Sequence, residues 1–361
     1  MDRLVFISIL VVASVSIMVV THMVALRVHA QAPSSTHIPF TFDNVDGHRR
    51  SDTVEEFVHP TGKRDAYEQK HAAERNVSDV YAVSSPKIHP NGSVFEVTVP
   101  ISGQLGNQIF QYASLLGVAE MNGMKPFYGT SSKLRNIFQV THLADRPHAN
   151  FKAMFEKDFA AFEPSFQNLP RENVTIMQYL QSWKYFDFIR STIQRELTFK
   201  QSVKDSAASL LQRYSAKIGN KTRVGIHVRR GDFLVAHHIR KGYHTAPASY
   251  VRKAMDHMRK KHGDVIFIFV TDDPGWCSRE FKTPDHIIAD KAPAEVHMAV
   301  LASCDHVIMT VGTYGWWGAY LAGGDVVYYW DRAQCLHDPP LPVEIKKTQD
   351  FFLPSWVPLT G

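Results

Sequence analysis

Two arginines, a glycine and an aspartate, Arg229-Arg230-Gly231-Asp232, follow directly on the run Val224-Gly225-Ile226-His227-Val228. A nearly uncharged β-type run that ends in charge is how a buried parallel strand delivers polar groups to the carboxyl edge of a sheet, where open α/β folds bind ligands. Guanidinium groups present several coplanar donors and stay protonated, which suits phosphate oxygens better than an ammonium does. On these residues alone the motif reads either as a diphosphate clamp or as a loop whose arginines pair with Asp232. An adhesion role for Arg230-Gly231-Asp232 fits poorly, because the strand before it is patterned for burial.

Two glycine turns repeat the design. Ser102-Gly103-Gln104-Leu105-Gly106-Asn107-Gln108 lies between an alternating strand, Val94 to Val99, and a helical pattern carrying Ile109, Ala113, Leu116 and Ala119 that stops at Asn122-Gly123. Its glycines match neither the dinucleotide fingerprint nor the P-loop lysine motif. They allow close backbone approach to a ligand, with Asn107 and Gln108 at a helix start, or serve only as cap and packing. Gly312-Thr313-Tyr314-Gly315-Trp316-Trp317-Gly318 follows the strand His306 to Val311, so the Thr313 hydroxyl either meets a phosphate or caps the helix. Asp272-Asp273 ends the apolar run Val265 to Val270 and reads as a hydroxyl or Mg²⁺ ligand or as a cap. His237, His238 and His244 have no carboxylate or cysteine at ligand spacing, so that stretch reads as a solvated loop rather than a metal site.

The elements that must hold these turns alternate strand and helix, which predicts an α/β architecture with parallel sheets. A chain of 361 residues, 44% hydrophobic and 21% charged, supports one large or two ordinary domains and excludes a disordered or fibrous protein. The net charge of +5 comes without a dense basic block, which argues against a nucleic-acid partner. No Asp, Glu, Lys or Arg occurs from Leu4 to Leu26, and a bilayer core needs about 20 apolar residues. The expected organisation is a tail over 1–3, a transmembrane signal-anchor over 4–26, a stem over 27–93, and lobes over 94–220 and 221–361; cleavage after Val28-His29-Ala30 is the alternative to the anchor. Sequons at Asn76, Asn91, Asn173 and Asn220 favour a luminal body. Cys277, Cys304 and Cys335 allow at most one internal disulfide and read equally well as buried thiols. The stretch Ser131 to Asn220 is read as helices and loops with its aromatic residues in the core, including two short helices between Arg190 and Tyr214.

Gly103-Gln104-Leu105-Gly106-Asn107-Gln108, His227-Val228-Arg229-Arg230-Gly231-Asp232, Thr313-Tyr314-Gly315-Trp316-Trp317 and Phe352-Leu353-Pro354-Ser355-Trp356, in that order, resemble the galactoside α-1,2-fucosyltransferases of glycosyltransferase family 11. The resemblance implies a GT-B-type enzyme with two Rossmann-like lobes in the Golgi lumen, a single-pass type II membrane protein. It would use GDP-β-L-fucose as donor and a terminal galactose as acceptor, without metal or other cofactor; a homodimer is left open. The absence of any Asp-x-Asp triplet agrees with this. By similarity, Arg229 and Arg230 serve the diphosphate, Asp232 orients them, His227 lies near the nucleoside, Thr313 meets phosphate, Tyr314 belongs to the donor site, and Asp290 meets guanine. Gly103, Gly106, Asn107 and Gln108 form the turn facing the reacting sugar. Asp232, Asp272 and Glu120 are the candidates for a general base.

Overall fold

Every strand pairing in the two sheets of the described residues is parallel. In this computed structural model residues 85–330, 345 and 347–361 are described, and all belong to the unit Phe57–Gly361. The expected tail, membrane anchor and most of the stem, together with Asn76 and Cys335, lie outside the described residues. Among those described, no helix is long and apolar enough to cross a membrane.

The first sheet comprises β1 (Glu96–Thr98), β2 (Lys125–Phe127), β3 (Lys152–Phe155) and β4 (Val174–Met177), in the order β2-β1-β4-β3. Helix α1 (Leu105–Asn122) carries the chain from β1 to β2, and Gly123, left-handed at φ 57°, turns its amide back to the Ala119 and Glu120 carbonyls to end it. Helices α2 (Arg190–Glu196) and α3 (Gln201–Gln212) then lead to β5 (Thr222–Val228), which opens the second sheet. There α4 (Ala248–His262), β6 (Val265–Thr271), α5 (Pro274–Glu280), β7 (His286–Ile288), α6 (Ala294–Ala302), β8 (His306–Met309), α7 (Thr313–Ala322), β9 (Val326–Tyr329) and β10 (Val357–Leu359) follow in turn. The order β10-β9-β8-β5-β6-β7 is that of a doubly wound, GT-B-like lobe.

In the first sheet β4 lies beside β1, between it and the edge strand β3. The second sheet reverses direction once, between β5 and β8. Connections leave such neighbours in opposite directions and open a crevice at their carboxyl ends, where this class of fold receives ligands. The central strands β5 and β6 are buried almost throughout because helices cover both faces, which is why their sequences run apolar instead of alternating.

Strands β3 and β4 correct the helix-and-loop reading of the middle stretch. β3 is an edge strand with most of its residues outside the core, so burial imposed no alternation on Lys152-Ala153-Met154-Phe155. Its strand character comes from pairing with β4. Nor do all residues before 221 serve the first sheet, since α3 packs on α6. Conversely the Thr348–Phe351 turn reaches back to the first half: Trp183 Nε1 donates to the Gln349 carbonyl at 3.0 Å and Lys184 pairs with Asp350 at 2.6 Å. Cys277 and Cys304 are buried free thiols, pushed up by burial to about 11 and about 12. Of the described sequons, Asn91 and Asn220 are exposed; the Asn173 side-chain oxygen Oδ1 accepts from the Glu96 amide at 2.9 Å.

An aromatic core joins the two halves. Phe110 of α1 lies 4.6 Å and 5.0 Å from the rings of Trp316 and Trp317 of α7, and Phe186 stacks on Trp317 at 5.3 Å. Trp316 Nε1 donates to the Phe351 carbonyl at 2.8 Å, so its polar edge is satisfied inside the core. Removing so large a buried ring leaves a cavity the neighbours cannot fill. Trp316→Ala is expected to cost about 3–5 kcal/mol, read as a lower urea midpoint with little change in slope.

Candidate active site

Segments that follow β1, β4 and β8 meet at one side chain. Asn107, in the first turn of α1, accepts at Oδ1 from the Thr313 hydroxyl at 2.8 Å and from Gln181 Nε2 at 3.0 Å. Thr313 opens α7 after β8, and Gln181 follows β4. With both lone-pair directions of Oδ1 in use, the amide offers only its N–H groups to a ligand. Gly106 makes the approach possible, because a Cβ there would stand 2.7 Å from the Thr313 carbonyl carbon and the Tyr314 amide nitrogen. Gly103, at φ 74°, turns the chain under the Asn107 side chain.

Arg229 and Arg230 leave β5 in different directions. The Arg229 amide donates to Thr310 Oγ1 at 3.0 Å, its Nη2 donates to both Asp232 oxygens at 2.9 and 2.8 Å, and its guanidinium lies over Phe233. Nε of Arg229 is buried and makes no hydrogen bond. Arg230 is held elsewhere: its amide donates to Asp272 at 2.8 Å, its Nε to Asp273 at 3.2 Å, and its guanidinium stacks 4.1 Å over Trp276. Asp232 therefore orients Arg229 while Asp273 orients Arg230. Asp273 also caps α5 through the Trp276 amide at 2.9 Å, which fits the capping reading of the Asp272-Asp273 pair.

His227 lies beneath the loop, 5% exposed, with its ring 5.3 Å from that of Tyr314. Burial, helped by Arg229, lowers its pKa to about 3, so the imidazole is neutral. A Cβ on Gly315 would fall 2.2 Å from His227 Nδ1, so the glycine inside the Thr313-Tyr314-Gly315 turn exists to admit the ring. Tyr314 turns its hydroxyl to the Ala294 carbonyl. Gln108 is buried and committed to the loop, donating to the Gly103 carbonyl at 3.1 Å and accepting from Ser132 Oγ at 2.9 Å. Asp290 follows β7, two strands from β5, and pairs with Arg213 at 3.2 Å; it has no described contact with the other site residues. Glu120 is corrected outright: it lies fifteen residues along α1 from Leu105, about 20 Å from the helix start at 1.5 Å per residue.

Two residues of this edge went unread in the sequence. Gln181 comes from a stretch with no helical or strand period. Glu156 follows β3 and accepts from the Leu180 amide at 3.3 Å and the Tyr185 hydroxyl at 3.2 Å. The short stretch from β4 to Gln181 holds Gln178 and Leu180 at φ 134° and 54°, strain that non-glycine residues carry only where surrounding contacts impose it.

Glycosyl transferase family 11 matches residues 68–360 as a family pattern. The chain belongs to this family. It is similar to a Bos taurus protein named galactoside 2-alpha-L-fucosyltransferase SEC1, 34% identical over 296 residues that cover 77% of each chain. A Homo sapiens protein named galactoside alpha-(1,2)-fucosyltransferase 1 is 32% identical over 294 residues, covering 76% of this chain and 78% of the relative. Among solved structures, a mutant of Arabidopsis thaliana FUT1 in complex with GDP aligns at a TM-score of 0.45 and 12% identity, covering 79% of this chain and 83% of that one. Fucosyltransferase NodZ from Bradyrhizobium aligns at 0.42 and 17%, covering 62% and 92%.

For this family 11 chain the environment of Glu156 gives a pH test. Burial raises its carboxyl to about 8 from an ordinary 4.5, against the hydrogen bonds from Tyr185 and the Leu180 amide. The native state thus keeps a proton that the unfolded chain releases, so this group costs nothing below about pH 4.5 and destabilises increasingly as the pH rises towards 8. Glu156→Gln removes that penalty. Its melting temperature relative to wild type is expected to rise between pH 5 and pH 8 in thermal scans; a constant difference would disprove the assignment.

Proposed function

We propose that the chain transfers L-fucose from GDP-β-L-fucose to the 2-hydroxyl of a terminal β-galactoside on glycoprotein or glycolipid glycans, giving an α-1,2-fucoside with inversion. The observation that carries this reading is the buried, unpartnered Nε of Arg229 beside the opening of α7, an unsatisfied cationic donor where an anion would complete its hydrogen bonding. The named relatives supply the sugar and the acceptor class. A membrane-bound galactoside lectin on the same fold is disfavoured, because it has no use for two arginines held at the end of a buried strand. A different GDP-sugar donor is the remaining alternative.

Inversion from a β-linked donor to an α-product calls for one in-line displacement. As the bond to fucose lengthens, negative charge grows on the departing GDP, and Arg229, Arg230 and the first amides of α7 stabilise it from fixed positions. Asp232 and Asp273 hold the two guanidiniums before donor arrives, so little reorganisation remains for the reaction step. Asn107, with its carbonyl committed, directs N–H groups at the reacting sugar. No carboxylate is assigned as base: Asp232 and Asp272 are engaged by Arg229 and the Arg230 amide, and a loose, oxocarbenium-like transition state demands little deprotonation of the acceptor. The body acts in the Golgi lumen behind its anchor and stem, and the displacement needs no metal.

Incubation with GDP-fucose and a glycan array, with the linkage read by NMR, tests the activity; turnover of another GDP sugar in its place would refute the donor. Arg229→Lys and Arg230→Lys keep the charge and lose the planar donor set. Each is expected to weaken GDP binding in calorimetry by roughly one to two decades, for a lost charge-assisted bond of about 1.5–3 kcal/mol. The alanine variants should lose more in turnover than in GDP affinity, because leaving-group charge peaks at the transition state. Activity is expected to survive EDTA in a short assay; a loss restored only by Mn²⁺ or Mg²⁺ would instead make Asp272 and Asp273 metal ligands.

A further inference from the structure

At the opposite, amino edge of the second sheet, three side chains from separate elements converge. His262 is the last residue of α4, His306 the first of β8, and Asp325 immediately precedes β9. One donor atom from each lies within 4.8 Å of the other two. His262 Nε2 is 3.1 Å and His306 Nδ1 3.9 Å from the same oxygen, Asp325 Oδ2. The two imidazoles stack at 3.7 Å with 18° between their planes, so one ring must turn before both in-plane lone pairs reach a shared ion. We propose that His262, His306 and Asp325 form a binding site for a divalent transition-metal ion, zinc above all, that ties the end of α4 to the starts of β8 and β9.

Ligand chemistry supports that choice. Two neutral imidazoles and one carboxylate, with a water as fourth ligand, are a common set for Zn²⁺. With arms of about 2.0–2.2 Å a tetrahedral ion holds neighbouring donors about 3.4 Å apart, close to the spacings already present. His262 Nε2 is buried and, despite its short contact with Asp325, makes no aligned hydrogen bond; such an atom gains most from a ligand placed between the two. The Asp325 amide donates to His306 Nδ1 at 3.0 Å, a bond that ligation through this nitrogen would replace. The turn bearing Asp325 is pressed against β8, since a Cβ on Gly324 would overlap the Asp305 carbonyl oxygen at 1.7 Å.

Lys261 is the competitor. Its ammonium lies 2.9 Å from Asp325 Oδ2 and already neutralises the carboxylate. The same three residues therefore also read as a plain ion-pair network, and Lys261 separates the two readings. As a metal site, the cluster loses a repelling charge in Lys261→Met and binds zinc more tightly; as an ion-pair network, the same variant only loses stability and binds no zinc. Because the site is at the far edge from Arg229, metal there acts on stability and not on the transfer step.

The test uses the full chain without a polyhistidine tag, stripped by chelator and titrated with Zn²⁺ alone and with Co²⁺ alone. Expected are one equivalent of Zn²⁺ by calorimetry, a higher melting temperature, and the visible absorption of four-coordinate Co²⁺. His262→Ala and Asp325→Asn should weaken binding at least tenfold, Lys261→Met should strengthen it, and a His237→Ala, His238→Ala control should leave it unchanged. No binding by wild type at micromolar Zn²⁺ overturns the proposal. So does equal binding by wild type and Asp325→Asn, or loss of binding only in the His237→Ala, His238→Ala control.

Discussion

The double acceptance at Asn107 Oδ1 is the contact on which the candidate site depends. One donor, Gln181, follows β4 of the first sheet, and the other, Thr313, follows β8 at the reversal point of the second. Without the pair, a half-buried amide carbonyl would lose both partners, and the two sheet ends would lose their common register. A neutral hydrogen bond suits this place better than an ion pair. It joins the two sheet ends without adding charge there, which suits the proposed transfer, in which charge would develop on a leaving group.

Much of the scaffold was legible because the sequence changes period at its boundaries. Apolar runs closed by charge mark β5 and β6, and Asn122-Gly123 marks the end of α1, since burial on both faces and a left-handed cap each impose a residue type. The Arg229-Arg230-Gly231-Asp232 turn was readable for the same reason. What stayed hidden rests on pairing between distant segments. β3 is strand only through β4, Gln181 matters only through Asn107, and Glu156 is perturbed only by what surrounds it. The family resemblance reached the donor motifs, but it could not tell that Asp273 rather than Asp232 holds Arg230, or that Asp290 pairs with Arg213.

The Thr313-Tyr314-Gly315-Trp316-Trp317 motif shows how one turn of helix serves several demands. Thr313 faces the crevice, Gly315 yields space to His227, and the two tryptophans enter the core between the halves. A 3.6-residue period sends neighbouring positions to different sides, so site, strand packing and interlobe core can be written in consecutive residues. The cost is that few of these positions can change independently.

That aromatic core also bears on how the enzyme empties itself. Swinging the halves apart about a hinge would pull Phe110 and Phe186 from Trp316 and Trp317 and wet several large rings at once, at about 1.5–3 kcal/mol for each side chain exposed. Rotation on that scale is too costly to recur in every catalytic cycle. In the transfer proposed above, spent nucleotide would leave by a local opening rather than by a hinge, and the segment after Asp232, which exposes Leu234, Val235 and Ile239, lies outside that core; a short surface turn, and not domain breathing, would then pace the cycle.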